Sequence, residues 1–240
     1  MANEHGEWIM YGVDEDDPYS IKSVEELSSY INELGFLPLF KNEIPGFSVE
    51  ERTVSAYWWS GNKERDPWAW REIIASQGNI AYGKFFDKKA GFISKEWMPY
   101  FANYRRDGYD FDARYDDELA SNRSKKIMNL FDADAQWYSF EVKKKAGFGK
   151  GGEKNFDGVM TELMMQTYLV MRDFRQKRNK KGEPYGWPVA VYSMPEQLWG
   201  YDHIASAYGE KPEVSKERIF NHIREVYPIA TEKQIYKVLR

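Results

Sequence analysis

The residues best suited to chemistry form a cluster of cations between positions 172 and 181. Six basic side chains lie there beside a single acid, Asp173, and they are Arg172, Arg175, Lys177, Arg178, Lys180 and Lys181. Lysine and arginine at this density suit contact with phosphates, which fixes a protein on a nucleic acid. If the protein neutralised about five phosphates, the slope of log binding constant against log salt concentration would be about −4.5. We therefore expect nucleic-acid contact here, while a solvated loop kept soluble by its lysines is the alternative.

A second basic segment is the glycine- and lysine-rich turn at 147–154. Lys150 and Lys154 fall in it, directly before Asn155, which we expect to cap the helix that follows. The N-terminal end of such a helix offers backbone N–H groups and the positive end of the helix dipole to a phosphate. No Gly-Lys-Ser/Thr follows the glycines, so a nucleotide-binding P-loop is not favoured. Lys150, Lys154 and Asn155 therefore join the predicted nucleic-acid-binding set.

Other kinds of reactive site find little support. The chain has no cysteine, which excludes disulfides, thiolate nucleophiles and cysteine-bound zinc. The two histidines outside the N-terminal segment, His203 and His222, stand alone near predicted helices and are expected to be structural. The acidic residues of 107–117 fall in a predicted surface loop and form no clear acid–base pair. The sequence predicts no metal and no cofactor, and it leaves the catalytic residues, if there are any, unknown.

Length and composition indicate a folded protein of one or two domains. The 240 residues are 17% aromatic, too rich in large side chains for a disordered chain. No apolar run approaches the ~18 residues of a membrane span, and the acidic N-terminus lacks the apolar region of a signal peptide. We expect a cytoplasmic protein without membrane contact. Residues 1–120 carry a net charge of −10 and residues 121–240 one of +6, so an anionic partner would meet the second half.

For the first half, the sequence predicts an acidic arm (1–20) followed by helices and a hairpin (21–110). Ser23 and Glu26 begin a helix that Gly35 ends, and Asp66-Pro67 begins another that runs to Gly78. A helix is predicted over 49–59, and the Pro38-containing stretch 36–40 is predicted to be a buried connection. A hairpin follows over 80–93, then a helix to Arg106. Three helices and a β-hairpin are the order of a winged helix.

The second half repeats this order over 111–205. Helices are predicted at about 117–132 and 136–146, then from Asn155, and strands at 168–174 and 187–192 enclose a long polar loop. The acidic loop 107–117 is the predicted domain boundary, and residues 206–240 are predicted C-terminal helices. The fold class expected is therefore α+β, mainly helical, with two tandem winged-helix units, each a helix-turn-helix with a β-hairpin wing.

An aromatic cluster in the first half has two interpretations. Core packing accounts for most of its members, and stacking on bases or sugars is the alternative. The cluster comprises Trp58, Trp59, Trp68, Trp70, Tyr82, Phe85, Phe86, Trp97, Tyr100 and Phe101.

Over about residues 23–200 the chain resembles the AlkZ-like family of winged-helix DNA glycosylases, as a divergent short member. Local similarity lies in Trp68-Ala-Trp-Arg, in the hairpin region from Gly78 to Trp97, and in Phe156 to Gln166 before the second hairpin. The resemblance implies tandem winged-helix domains, duplex DNA as the partner, intact or damaged, and a role in DNA repair. If the chain is an enzyme, the resemblance implies hydrolysis of N-glycosidic bonds.

One departure from the family concerns its catalytic motif. The family has Gln-x-Gln or Gln-x-Asp just after the Leu-Gly of the first helix, and this chain has Phe36-Leu37-Pro38-Leu39 there. Leucine has no lone pair with which to position water, so the resemblance assigns no catalytic residue. Arg52 and Lys84 are the cations that could bind an anion in the former pocket. A glycosylase with displaced catalytic groups and a protein-interaction or regulatory winged-helix module stay open as alternatives.

Overall fold

The structure is a computed structural model that describes residues 10–132 and 135–240. The fold is α+β, with many short helices and two small antiparallel sheets. Its first half contains α1 (Val24–Leu34), β1 (Phe36–Pro38), α2 (Pro67–Gln77), β2 (Ile80–Phe86), β3 (Lys89–Ser94) and α3 (Met98–Arg106). Two 3₁₀ turns, Glu50–Arg52 and Ser55–Tyr57, lie between β1 and α2. The predicted helices from Ser23 and Asp66 and the first hairpin are confirmed.

Two sequence predictions in this half are wrong. Residues 36–38 form a strand, because β1 is an edge strand and proline is tolerated at an edge. The helix predicted over 49–59 is replaced by the two 3₁₀ turns. Thr53 and Val54 between them are extended, and Val13 binds this stretch through a bridge to Val54 and a 3.1 Å hydrogen bond to the Thr53 carbonyl. Adjacent β-branched residues also disfavour a helix.

The second half contains α4 (Phe111–Asp116), α5 (Asn122–Met128), β4 (Trp137–Tyr138), α6 (Ser139–Lys145), α7 (Phe156–Met165), β5 (Val170–Arg178) and β6 (Pro184–Ser193). The predicted loop 107–117 therefore includes a helix, which the buried side chain of Phe111 anchors. The predicted long loop 175–186 is mostly strand, with a short turn in which the Asn179 Oδ1 accepts the backbone N–H groups of Lys181 and Glu183. Polar residues are also found on exposed two-stranded ribbons, so a polar sequence alone does not distinguish a loop from a strand.

The two sheets have the same strand order. The first is ordered β1-β3-β2 and the second β4-β6-β5, so in each a short leading strand pairs with the second strand of a hairpin. The second hairpin is longer, with nine and ten residues in its strands against seven and six in the first. The winged-helix assignment of these units stays a prediction.

The C-terminal segment contains α8 (Glu196–Trp199), α9 (Tyr201–Ile204), α10 (Pro212–Val226) and α11 (Glu232–Leu239). Buried residues of α10 and α11 pack into the same apolar cluster as α1, α2 and the first sheet. A second cluster is built from residues between Phe111 and Tyr192. The helices at 206–240, expected as a separate C-terminal element, thus complete the first core. The division of the chain into domains stays a prediction.

Arg106, at the end of α3, links the two clusters. Its guanidinium is buried, donates hydrogen bonds to the Thr167 carbonyl (2.7 Å) and to Tyr208, and forms a 2.5 Å ion pair with Glu196. The pKa of Arg106 is raised: burial lowers it, but Glu196 and Tyr208 together outweigh that effect. The partners of Arg106 thus come from three segments: the chain before β5, α8 and Tyr208.

The acidic arm and the histidines are placed as follows. Of the arm, Tyr11 and Val13 contact the stretch 50–54, where the backbone N–H of Tyr11 donates to Glu50, and residues 1–9 lie outside the described part. His203 and His222 each form a hydrogen bond with a backbone carbonyl, of Lys95 and Leu34 respectively.

Within residues 10–132 and 135–240, no cluster of side chains could hold a metal ion. No helix in the same ranges is long and apolar enough to cross a membrane.

Candidate nucleic-acid interface

The hairpin of β5 and β6 carries most of the predicted cations, and we call it the basic hairpin (170–193). Arg175 and Arg178 are exposed on β5, Lys177 is half-buried, and Lys180 and Lys181 are exposed in the turn. The structure therefore brings these five charges together on one ribbon.

Several of these cations are oriented by neighbours. Arg175 donates to Asp173 at 2.5 Å and to the side chain of Gln136 at 3.1 Å. The Lys177 ammonium lies over the ring of Phe140, with 5.0 Å between Nζ and the ring centroid. Arg178 donates to the Gly182 carbonyl across the turn. These contacts keep positive charge along the ribbon without neutralising it, apart from the pair with Asp173.

Arg172 has a different environment. Its Nη1 donates to the carbonyls of Ala75 and Ser76, at 2.9 Å and 2.7 Å, at the C-terminal end of α2. A cation is favourable there because the last carbonyls of a helix carry partial negative charge. Arg172 thus fastens the basic hairpin to the first half, and any role for it in nucleic-acid contact stays a prediction.

The turn before α7 is only partly as expected. Lys150 and Lys154 are exposed, and a Lys126–Glu153 ion pair of 2.6 Å braces the turn. Asn155 stands at the cap position, but its φ is 65° and its side chain makes no capping hydrogen bond, so the predicted cap is wrong in this detail. Asparagine tolerates this left-handed conformation, which turns the chain into the helix. Phosphate binding by Lys150, Lys154 and Asn155 stays a prediction.

A cleft of about 630 Å³ opens between the first sheet and the basic hairpin. We call it the central cleft. Phe40, Trp68 and Tyr82 contribute aromatic surface from the first half, and Phe174 and Ala190 contribute to the wall from the basic hairpin. Lys41, Lys84, Lys88 and Lys89 also line the cleft, together with the acids Glu43 and Glu50. A cleft with apolar walls and a few charged groups is the usual form of a ligand site.

Arg71 is the most unusual group in the central cleft. Its side chain is only 8% exposed, and its guanidinium carbon lies 3.7 Å from the ring centroid of Trp68 and 4.4 Å from that of Phe174. One nitrogen pairs with Glu72 at 2.9 Å, but Nε has no acceptor among the described residues. A buried donor without a partner carries a free-energy penalty. Other atoms of Arg71 line the central cleft.

The pKa values of two groups next to Arg71 show that this part of the protein is shielded from water. Burial raises the pKa of Tyr82 to about 12, although the neighbouring Arg71 acts in the opposite direction. Burial also raises the pKa of Glu72, and Arg71 again opposes the change. Both groups therefore favour their neutral forms more than they would in water.

Glu50 is the one acid of the central cleft that is nearly fully buried, at 1% exposure. Its two oxygens accept the backbone N–H groups of Tyr11 (3.0 Å) and Lys41 (2.9 Å). Each oxygen keeps a second lone pair. The carboxylate is thus held at a fixed position in the cleft wall.

The position of the missing catalytic motif is filled by apolar core. Leu37 and Leu39 are both fully buried, and Phe36 packs edge-on against Phe47 and Phe101. No polar side chain replaces the family's glutamines on β1. Of the two cations considered for the former pocket, Lys84 lines the central cleft and donates to Thr161 of α7 at 3.2 Å. Arg52 instead donates to the Gly46 carbonyl at 3.2 Å.

The chain belongs to the AlkZ-related family, whose model matches residues 21–240. This confirms the family inferred from the sequence and covers both clusters and the C-terminal helices. No match was found among curated proteins or among solved structures.

Sequence reasoning missed the central cleft and two of its groups. Trp68 and Tyr82 were assigned to an aromatic cluster, but Arg71 and Glu50 gave no signal because arginine and glutamate are mostly surface residues. Only their burial in three dimensions distinguishes them.

Proposed function

We propose that this member of the AlkZ-related family binds duplex DNA and recognises damaged sites. The observation that carries the proposal is the central cleft, whose aromatic walls and lysines lie directly beside the basic hairpin. Cations on the hairpin suit the backbone, while the cleft suits a base that has left the duplex.

Tandem winged-helix units are part of the proposal. In each half a helix precedes a short strand, further turns or helices follow, and a hairpin ends the unit. The leading strand pairs with the last strand in both sheets. The helix directly before such a hairpin can dock on duplex DNA, and α2 and α7 are the helices in that position here.

The chemistry of the central cleft supports a nucleobase as its occupant. A base removed from the stack must be held by aromatic contact and by hydrogen bonds to its edge. Trp68, Tyr82 and Phe174 line the cleft with aromatic side chains, and the Arg71 guanidinium beside them carries N–H donors. Lys88 and Lys89, at the turn of the first hairpin, can meet the flanking phosphates.

The test is DNA binding by fluorescence anisotropy at two salt concentrations, with an intact duplex and one carrying an abasic-site mimic. We expect salt-sensitive binding that is tighter for the abasic duplex. Replacing Arg175, Lys177 and Arg178 together by Gln should weaken both complexes and reduce the salt slope by about 2 to 3. Replacing Lys211, Arg224 and Lys233, which are exposed cations of the C-terminal segment, is the matched control.

Two results would contradict this proposal. Unchanged affinity and salt slope in the triple variant of the basic hairpin would remove the hairpin from the interface. Absence of binding by the unaltered protein at low salt would favour the protein-interaction alternative.

Base excision by displaced groups is a second candidate, which the position of Glu50 favours. Its fixed carboxylate could direct a water to C1′ of the sugar as the bond between C1′ and the base nitrogen breaks. The water oxygen bonds to C1′, and its proton passes through the carboxylate to the departing base. No further reactant is needed.

Release of an alkylated purine from duplex DNA tests this candidate. Glu50→Gln should lower the release rate by about 100-fold or more, with DNA affinity nearly unchanged. Glu43→Gln, at a more exposed acid of the same cleft, is the control and should retain most of the rate. Absence of release by the unaltered protein, or equal rates for Glu50→Gln, would exclude catalysis by Glu50.

A further inference from the structure

Trp187, on β6 of the basic hairpin, is unusually exposed. Its side chain is 89% exposed, whereas the next most exposed tryptophan in the described part of the chain, Trp59, reaches 47%. Tryptophan is rarely left in water because its large apolar surface gains much free energy on burial. The indole of Trp187 is therefore available for contact with a partner.

The backbone explains the exposure. Arg175 pairs with Val189 and Lys177 with Tyr185, so the three residues 186–188 of β6 lie opposite Gln176 alone. Gly186 within this bulge has a φ of 73°, a conformation that glycine adopts without strain. Bulges of this kind re-aim a side chain away from the regular sheet. The hairpin thus presents Trp187 outward by its local geometry.

The surroundings of Trp187 indicate the chemistry of its partner. Cations precede it on the paired strand and in the turn, and the half-exposed Tyr185 is its neighbour on β6. Ala190, which lines the central cleft, is three residues from Trp187 along β6. Three strand residues span about 10 Å, which is also the height of about three stacked base pairs. An indole among cations and close to a base-sized cleft fits the exposed face of a nucleobase.

We propose that Trp187 enters the DNA stack at a weakened site and stacks on the base that remains there, which favours movement of a neighbouring nucleotide toward the central cleft. This inference rests on the proposed DNA binding. Apolar side chains that enter base steps are a known means of unstacking DNA, and stacking on an aromatic ring tolerates any base. Trp187 would thus supply preference for damaged sites, while the cations supply general affinity.

The experiment compares Trp187→Ala, Trp187→Phe and a control, Tyr236→Ala, which removes an exposed aromatic ring from α11. Affinities for the intact and the abasic duplex are measured for each by anisotropy. Trp187→Ala should reduce the ratio between the two affinities by about tenfold, with intact-duplex affinity and salt slope changed little. Trp187→Phe should retain most of the preference, and Tyr236→Ala all of it. In the unaltered protein, indole fluorescence should be quenched more by the abasic duplex.

The outcomes separate this inference from the proposed function. If the unaltered protein prefers the abasic duplex and Trp187→Ala keeps the full preference, the role of Trp187 is wrong and the proposed function stands. If the unaltered protein binds DNA without any preference, the role of Trp187 and the recognition of damaged sites are both wrong, and only DNA binding stands. If the protein binds no DNA, both fail. Binding to phosphatidylcholine–phosphatidylglycerol vesicles that requires Trp187, without any effect on DNA, would assign the indole to a lipid surface and overturn the inference.

Discussion

Both sheets place a short leading strand beside the second strand of a hairpin, yet the two hairpins lie in different surroundings. In the first, Phe85 and Phe92 are fully buried among α2, α3 and the C-terminal helices. The second hairpin leaves the core beyond Phe174 and returns to it at Ala190, and its outer part carries exposed cations on β5 and an exposed Trp187 on β6. One topology therefore serves as core in one half and as a projecting surface in the other. The difference lies in side chains and strand length.

The largest expected effect tests whether the first hairpin is core and the second is surface. Phe92→Ala should lower the free energy of unfolding by about 4 kcal/mol, because it leaves a cavity in a packed core. Trp187→Ala should change it by no more than about 0.5 kcal/mol. Urea denaturation followed by circular dichroism measures both. Similar losses for the two variants would mean that the second hairpin is also packed.

The next effect concerns the connection between the two regions. Arg106→Met should cost about 3 kcal/mol, since it leaves Glu196 without its partner in a mostly buried position. The exposed pair of Arg240 with Asp87 supplies a control, and Arg240→Gln should cost at most about 1 kcal/mol. Calorimetry should also show whether the two clusters of the Arg106→Met variant melt separately. A variant as stable as the unaltered protein would show that Arg106 does not hold the halves together.

A smaller effect concerns the filled position of the family motif. Leu37→Gln should cost about 2 kcal/mol, because a buried amide would lack hydrogen-bond partners in the packed core around β1. Leu37→Met, which nearly conserves volume, should cost less. Thermal melting distinguishes the two. If the glutamine variant were as stable as the methionine variant, the first sheet would have room for polar groups.

The smallest effect is pH-dependent and arises from Tyr82 in the first hairpin. Its pKa is raised to about 12 by burial, so above pH ~10 the unfolded chain loses a proton that the folded chain retains. Stability due to this group is complete below pH ~10 and falls as the pH rises toward 12. Between pH 9 and 11 the unaltered protein should therefore lose about 1 kcal/mol more than Tyr82→Phe. Urea denaturation at the two pH values measures both losses. Equal losses for the unaltered protein and Tyr82→Phe would contradict this prediction.

Much of the first half could be predicted from sequence because its signals are local. Ser23 with Gly35, and Asp66-Pro67 with Gly78, bound their helices as expected. The errors arose where long-range contact decides the structure. Residues 36–38 become a strand only because β3 lies beside them.

The candidate site was predictable in part for the same reason. Charge density is a property of sequence, so the cations of the basic hairpin were found. The central cleft was not found, because Glu50, Arg71 and Phe174 meet only when residues from distant parts of the chain pack together. Outward presentation of Trp187 depends on a change of register between β5 and β6, which no local pattern marks.

The placement of α10 and α11 has a consequence for synthesis. A ribosome releases residues 111–192, which build the second cluster, before residues 212–239, which complete the first. The N-terminal half must therefore wait with part of its apolar surface uncovered while the later half can already fold. Domains usually fold in the order in which they emerge. This chain is expected to reverse that order, because the first core is complete only after α11 has been synthesised.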